Sequence, residues 1–175
     1  VNIGADLAEV YPTYDKNVMT GELMSLDLEH EGFLKRSATS YDRNMIGVVS
    51  TRPGLLLSDH NSKKGNIVTI ALAGRVPVKV STENGSIKKG DYLTASSKPG
   101  IAMKATKPGF VFGQALSSFD VNNIGKVIVI VKNTSMGEAQ QEELNALKTK
   151  LDVMDQRLDV LERLMRLFQS LFIKK

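Results

Sequence analysis

The sequence contains no cysteine and no tryptophan, two histidines, four tyrosines and six phenylalanines in 175 residues. Without cysteine there is no disulfide, no thiolate nucleophile and no sulfur-ligated metal. His30 and His60 sit in polar, turn-rich contexts with no second ligand at metal spacing, so neither a metal nor a cofactor is expected. No apolar run approaches the ~20 residues of a membrane span, and no signal peptide opens the chain. A phosphate-cradling P-loop, a dinucleotide glycine fingerprint and a Gly-x-Ser-x-Gly elbow are all missing. The aromatics are too scattered for a ligand-binding barrel, and no basic run interleaves with them, so nucleic acid is not an expected partner. Arg43, Arg52, Lys63, Lys64, Lys88 and Lys89 read as solvated loop cations behind a formal net charge of +4. Because Val1 is not an initiator residue, the chain reads as cut from a longer polypeptide whose upstream part is a further partner.

What is present starts at the C-terminal end. Leu144, Leu147, Leu151, Met154, Leu158, Leu161, Met165, Phe168 and Phe172 recur at alternating spacings of three and four. This is a heptad pattern with Leu144, Leu151, Leu158, Met165 and Phe172 at a, and Leu147, Met154, Leu161 and Phe168 at d. A single helix has nothing to bury such a stripe against, so an oligomer is expected. In a parallel coiled coil, each g residue faces e of the next heptad on the partner. Those pairs are Glu143 with Lys148, Lys150 with Asp155, and Arg157 with Glu162, all opposite in sign. Exposed pairs contribute only ~0.2–1 kcal/mol each, so they set orientation and register more than strength. No a position is β-branched, and Leu164 and Leu171 replace charges at g, which together favour three strands over two. The window from Leu164 to Ile173 is largely apolar and reads as a wider bundle core in preference to an interfacial membrane anchor.

Upstream, strands of 22–28, 33–38, 45–50, 66–81, 91–96, 101–106, 110–117 and 126–132 are separated by Gly, Pro, Asn and Asp turns. The expected body is compact, antiparallel and β-barrel-like, occupying 1–132. A linker over 133–137 precedes the oligomerisation helix, 138–175, where Ser135 and Glu138 have capping-box spacing. Pro77 places the second half of the long 66–81 strand at an edge or bend, and Gly74 is a corner.

The body also carries an internal repeat. Gly21-Glu22-Leu23-Met24-Ser25-Leu26 matches Gly90-Asp91-Tyr92-Leu93-Thr94-Ala95. Gly32-Phe33-Leu34-Lys35-Arg36-Ser37 matches Gly100-Ile101-Ala102-Met103-Lys104-Ala105, and Ile46-Gly47-Val48-Val49-Ser50 matches Phe112-Gly113-Gln114-Ala115-Leu116. Two small β units, each unable to bury a face alone, are expected to pack about a pseudo-twofold axis.

The hexapeptide Gly4-Ala5-Asp6-Leu7-Ala8-Glu9, followed by Ile46-Gly47-Val48-Val49-Ser50 and Gly90-Asp91-Tyr92-Leu93-Thr94, resembles the autoproteolytic intramolecular-chaperone domain of phage pre-neck appendage (tail-spike) proteins and related bacterial sequences. The resemblance covers residues 3 to 132. It implies a virion or cell-surface domain that trimerises, helps a preceding fibrous region fold in register, and in some members cuts itself free with acidic residues. Carried onto this chain, Asp6 and Glu9 are the candidate catalytic pair, able to divide general-acid and general-base roles if their environments separate their pKa values. A plain alternative is that both are solvated charges leading into the first strand. The function expected is a parallel homotrimeric assembly and chaperone-like module of a fibre or spike, with self-cleavage as the alternative.

Overall fold

In the computed structural model, the backbone is described for residues 5–57, 65–135 and 138–172, and the side chains for 6–57, 65–132 and 149–169. His60, Lys63 and Lys64 lie outside the described residues. The chain divides into two compact units, Val1–Met136 and Gly137–Lys175.

The first unit is mainly β. Its strands are β1 (Ala5–Thr13), β2 (Leu23–Leu26), β3 (Leu34–Arg36), β4 (Met45–Val49), β5 (Leu55–Leu56), β6 (Asn66–Val80), β7 (Tyr92–Ala95), β8 (Ala102–Lys104), β9 (Phe110–Ala115) and β10 (Gly125–Ser135). Eight of these coincide with the strands read from the sequence. β1 and β5 do not: Asp6, Glu9 and Pro12 disguise β1, which is extended because it pairs along its length with β6, from Ala5↔Arg75 to Thr13↔Asn66.

The strands join in one ten-stranded sheet, in the order β10-β9-β7-β8-β6-β4-β2-β3-β1-β5, with β6 also pairing β10 and β1. Most of its pairings are antiparallel, as expected, but the sheet is mixed, because β1 runs parallel to β3 and β5, and β6 parallel to β8. Two further expectations are corrected. β10 continues to Ser135, pairing Thr134↔Val111 and Ser135↔Phe110, where a linker had been read. Ser135 is thus the last residue of β10 and Glu138 the first described residue of the helix, and the two residues between them, on which the capping-box expectation turns, lie outside the described residues. Pro77 is no edge residue either, since it pairs with Ile128 in β10. On the opposite side of β6 no strand among the described residues is paired at Pro77, and the Gly21 carbonyl takes the Lys79 N–H at 2.8 Å, so the missing proline donor breaks no ladder there.

The repeat extends further than the sequence suggested. Met24↔Arg36, Ser25↔Lys35 and Leu26↔Leu34 in the first copy match Leu93↔Lys104, Thr94↔Met103 and Ala95↔Ala102 in the second. Likewise Met24↔Gly47 matches Leu93↔Gly113. The parallel contacts Thr13↔Leu34 and Val80↔Ala102 are then equivalent, as are the antiparallel pairs Val48↔Ala71 and Gln114↔Ile130. Thus β1 corresponds to the second half of β6, and the first half of β6 to β10. Gly74, at φ 109°, lies between the halves and pairs with both Asp6 and Val131.

Alternation along each strand then fills two cores. Leu23 joins Val48, Val76, Val78, Val80, Leu93, Phe112 and Val129 in one, while its neighbour Met24 packs with Leu34, Val49, Val68 and Ile70 in the other.

The repeat also conserves an ion pair that the strand pattern alone does not predict. Glu22, after the first glycine turn, accepts from Arg36 Nε at 2.8 Å and Lys79 Nζ at 2.9 Å. Its counterpart Asp91 meets Lys104 at 2.9 Å. Burial pushes the Glu22 carboxyl upward, but the Met19 N–H, Lys79 and Arg36 outweigh it and the net shift is downward. A carboxylate whose folded pKa is depressed stabilises the fold above its unfolded pKa and loses that contribution as pH falls through the folded value. Glu22→Gln is therefore expected to destabilise the body at pH 7 by roughly 2–4 kcal/mol, somewhat under the ~3–5 kcal/mol of a fully buried broken pair. Urea melts should show the deficit shrinking below pH 4.5. The second expected outcome concerns Gly47 and Gly113. A Cβ at either would run into a backbone carbonyl, of Ala71 and Ile130 respectively. Alanine at each is expected to cost at least the ~1–3 kcal/mol of an overpacked core in the same melts.

Candidate functional site

β1 sets the two acidic residues apart. Along it, Asp6, Ala8 and Val10 are buried while Leu7, Glu9 and Tyr11 are half-buried, the alternation of a strand with one face inward. Residues three apart on such a strand face opposite ways, so Asp6 and Glu9 do not share a site within one chain. The β1–β6 register slips between Leu7 and Ala8, yet the alternation in burial continues through the slip.

Asp6 is 3% exposed, and among the described residues neither carboxyl oxygen has a hydrogen-bond partner. Its backbone carbonyl takes the Gly54 N–H at 2.8 Å. Burial raises its pKa, and the nearby Ser50 hydroxyl, itself buried and outside hydrogen-bonding geometry, offsets only part of that rise. Glu9 instead accepts from the Tyr11 hydroxyl at 2.7 Å. Burial first, then the Glu9 hydrogen bond and charge, push the Tyr11 phenol up to about 12. The arrangement gives one inward carboxyl biased toward its protonated form and one outward carboxylate tied to a phenol. Gly4 of the hexapeptide lies outside the described residues.

The second candidate element is α1, Glu138–Phe172, a continuous helix of 35 residues and so about 50 Å long. Of the heptad positions, Leu151, Met154, Leu158, Leu161, Met165 and Phe168 are 57–61% exposed. The side chains of Glu143, Leu144, Leu147, Lys148, Leu171 and Phe172 lie outside the described residues, as does Ile173 altogether. Of the expected interchain pairs, Lys150, Asp155, Arg157 and Glu162 are exposed. Glu162 also approaches Arg166 of its own chain at 3.7 Å, a solvent-exposed pair of little energetic weight.

A cluster the sequence reading missed lies at the turn after β2. There Asp27, Glu29 and His30 bring ligand atoms within 4.8 Å of one another. Asp27 already bonds His30 Nδ1 at 2.7 Å and the Glu29 N–H at 3.1 Å, with Lys35 at 3.5 Å. The His30 bond, then the Glu29 N–H, hold its carboxyl below the usual range. The local signal was the i, i+2, i+3 spacing of acid, acid and imidazole.

No protein-family model matches this chain, and no curated protein sequence does. Solved structures do. The fold is similar to that of the C-terminal fragment of bacteriophage phi29 gene product 12. That likeness has a TM-score of 0.51 at 18% identity and covers 73% of this chain and 100% of the fragment. The pre-mature form of the same phi29 gene product aligns at a TM-score of 0.51 and 16% identity, covering 73% of this chain but only 21% of that longer one. At such identities the likeness concerns the fold.

Since Asp6 resists ionisation when folded and ionises freely when unfolded, stability should fall as pH rises from the unfolded carboxyl pKa through the raised folded one. Asp6→Asn keeps the shape without the charge, and its amide can donate to Ser50. The substitution is expected to raise the melting temperature at pH 7, with the gain disappearing below pH 3.8 in calorimetric scans.

Proposed function

We propose that this chain is a phage fibre- or appendage-associated assembly module: a β body carried by parallel homotrimers, with α1 as the oligomerising stalk, acting as an intramolecular-chaperone-like register for a preceding fibrous region. The observation that carries the reading is the a/d stripe of α1. Six described apolar side chains on one unbroken helix stand more than half exposed in the single chain. Burying each would stabilise an assembly by ~1.5–3 kcal/mol. The opposite signs of Lys150 and Asp155, and of Arg157 and Glu162, favour parallel strands. The absence of β-branched residues at a and the leucine at 164 favour three. The fold likeness to the phi29 gene product 12 fragment, together with the hexapeptide resemblance, supports the phage setting. A trimer holds three preceding segments at high effective concentration and in one register, which is what a chaperone of fibre folding supplies. On this reading the setting is the virion.

A second reading, self-cleavage, draws on one observation: a buried, raised-pKa carboxyl at Asp6 with no hydrogen-bond partner among the described residues. Because Glu9 faces away from it, the complementary group would come from a neighbouring protomer or from the segment being cut. The reaction would be hydrolysis of a peptide bond just upstream, with one carboxyl activating water and the other protonating the leaving amine.

Sedimentation velocity at micromolar concentration is expected to give a trimer for the intact chain. Leu158→Asp, which buries a charge in the seam, is expected to yield monomers with an unchanged β-body melting profile; a monomeric parent protein overturns the assembly reading. For the second reading, the chain is fused behind its natural upstream segment. Cleavage just upstream of the Gly4–Glu9 hexapeptide, abolished by Asp6→Asn or Glu9→Gln, is the expected outcome, and an intact product from the parent sequence removes it.

A further inference from the structure

The a/d seam leaves a second apolar stripe on α1 unexplained. Val153, Val160 and Leu167 all occupy c of the same heptads, and Leu164 occupies the adjacent g. Read in order, Val153, Arg157, Val160, Leu164 and Leu167 repeat at spacings of four, three, four and three, the rhythm of another helix-packing seam. On a helical wheel this stripe lies about 100° round from the a/d seam: its c residues stand outside the core of a trimer, and Leu164, at g, lies on the margin between that seam and the outer face. Val153 is 44%, Val160 56% and Leu164 46% exposed. Together with Gln156, Arg157 and Leu161, these three line a shallow groove along the helix.

The charges around the stripe are one-sided. Arg157 lies within it and Arg163 lies beside it at f, whereas the acids Asp152, Asp155, Asp159 and Glu162 all fall at b and e, on the opposite flank. A second copy pressing the same stripe against this one would bring Arg157 to Arg157 and Arg163 to Arg163, and like charges at a helix interface oppose association. Nor does the stripe fit the acidic b/e flank of a neighbouring copy, which would set Val153 and Val160 against aspartates. The chemistry that satisfies both features is an apolar ridge with carboxylates at its edge.

We infer that the c/g stripe of α1 is a docking groove for an acidic amphipathic helix of a different protein, packed on the outside of the homotrimeric stalk. Val153, Val160 and Leu164 receive its apolar side chains, at i, i+3 or i+4, and i+7, and Arg157 and Arg163 pair with Asp or Glu beside them. This rests on the reading that copies of the chain cover the a/d seam. Arg157 then serves two partners, Glu162 across the trimer and a carboxylate outside it. The partner's helix needs three turns to span from Val153 to Leu164, about 16 Å.

The test uses two fluorescent helical peptides, identical in their leucines at i, i+3, i+4 and i+7 and differing only in whether glutamate or lysine flanks them. The intact chain is expected to bind the glutamate-flanked peptide at least tenfold more tightly in fluorescence anisotropy, with affinity falling as salt rises. The triple variant Val153→Ser, Val160→Ser, Arg163→Glu changes only c and f positions. It is expected to lose that binding while sedimenting as the parent does. Equal affinity for both peptides, or none for either, overturns the inference. Retained binding by the triple variant places the peptide on the a/d seam and overturns it too. A triple variant that dissociates shows the stripe to be covered by copies of the chain, again against the inference. A parent chain that sediments as a monomer fails the assembly reading itself, independently of the peptide comparison.

Discussion

The structure depends on a single strand taking part in both halves of a repeat. β6 pairs with β1 and β4 through its first half and with β10 and β8 through its second. Each unit of three short strands and one long strand is too small to bury a face, and sharing β6 closes both with the same backbone. Gly74 permits the passage between the halves, and valines at 76, 78 and 80, all fully buried, anchor the second one. Close approach at the paired glycines 47 and 113 then brings β4 and β9 onto the central strand and β10 in equivalent ways.

The same duplication places charge where hydrophobic pattern alone would not. Glu22 and Asp91 stand at equivalent turns, each answering a cation at the end of an equivalent strand. The first copy differs in drawing a second cation, Lys79, from the shared strand. A carboxylate held between two cations at the junction of the halves ties their packing to pH more strongly in one copy than the other.

Two features are incomplete in a single chain, one in its interior and one on its surface. Among the described residues Asp6 is a buried acid without a hydrogen-bond partner, which is costly unless it is neutral. α1 is an apolar rod whose cost in water is relieved only by company. An oligomer would cover the a/d stripe of α1, whereas the Asp6 carboxyl bears on the separate reading of self-cleavage.

Much of this was legible beforehand. Period-two runs bounded by glycine located eight strands, and the turn-strand-turn-strand order exposed the repeat, because a half-buried strand leaves its alternation in the sequence. The heptads of α1 are equally local. What the sequence could not disclose is decided by pairing between distant segments. β1 is a strand only because β6 holds it there, and the β10 ladder reaches Ser135 because β9 continues alongside it. The separation of Asp6 from Glu9 follows from the same fact: spacing three joins two side chains on a helix and parts them on a strand. Residue types and local periods are written into the chain itself, whereas the identity of each strand's neighbour, and so the surroundings of each carboxyl, arises from contacts far apart in sequence.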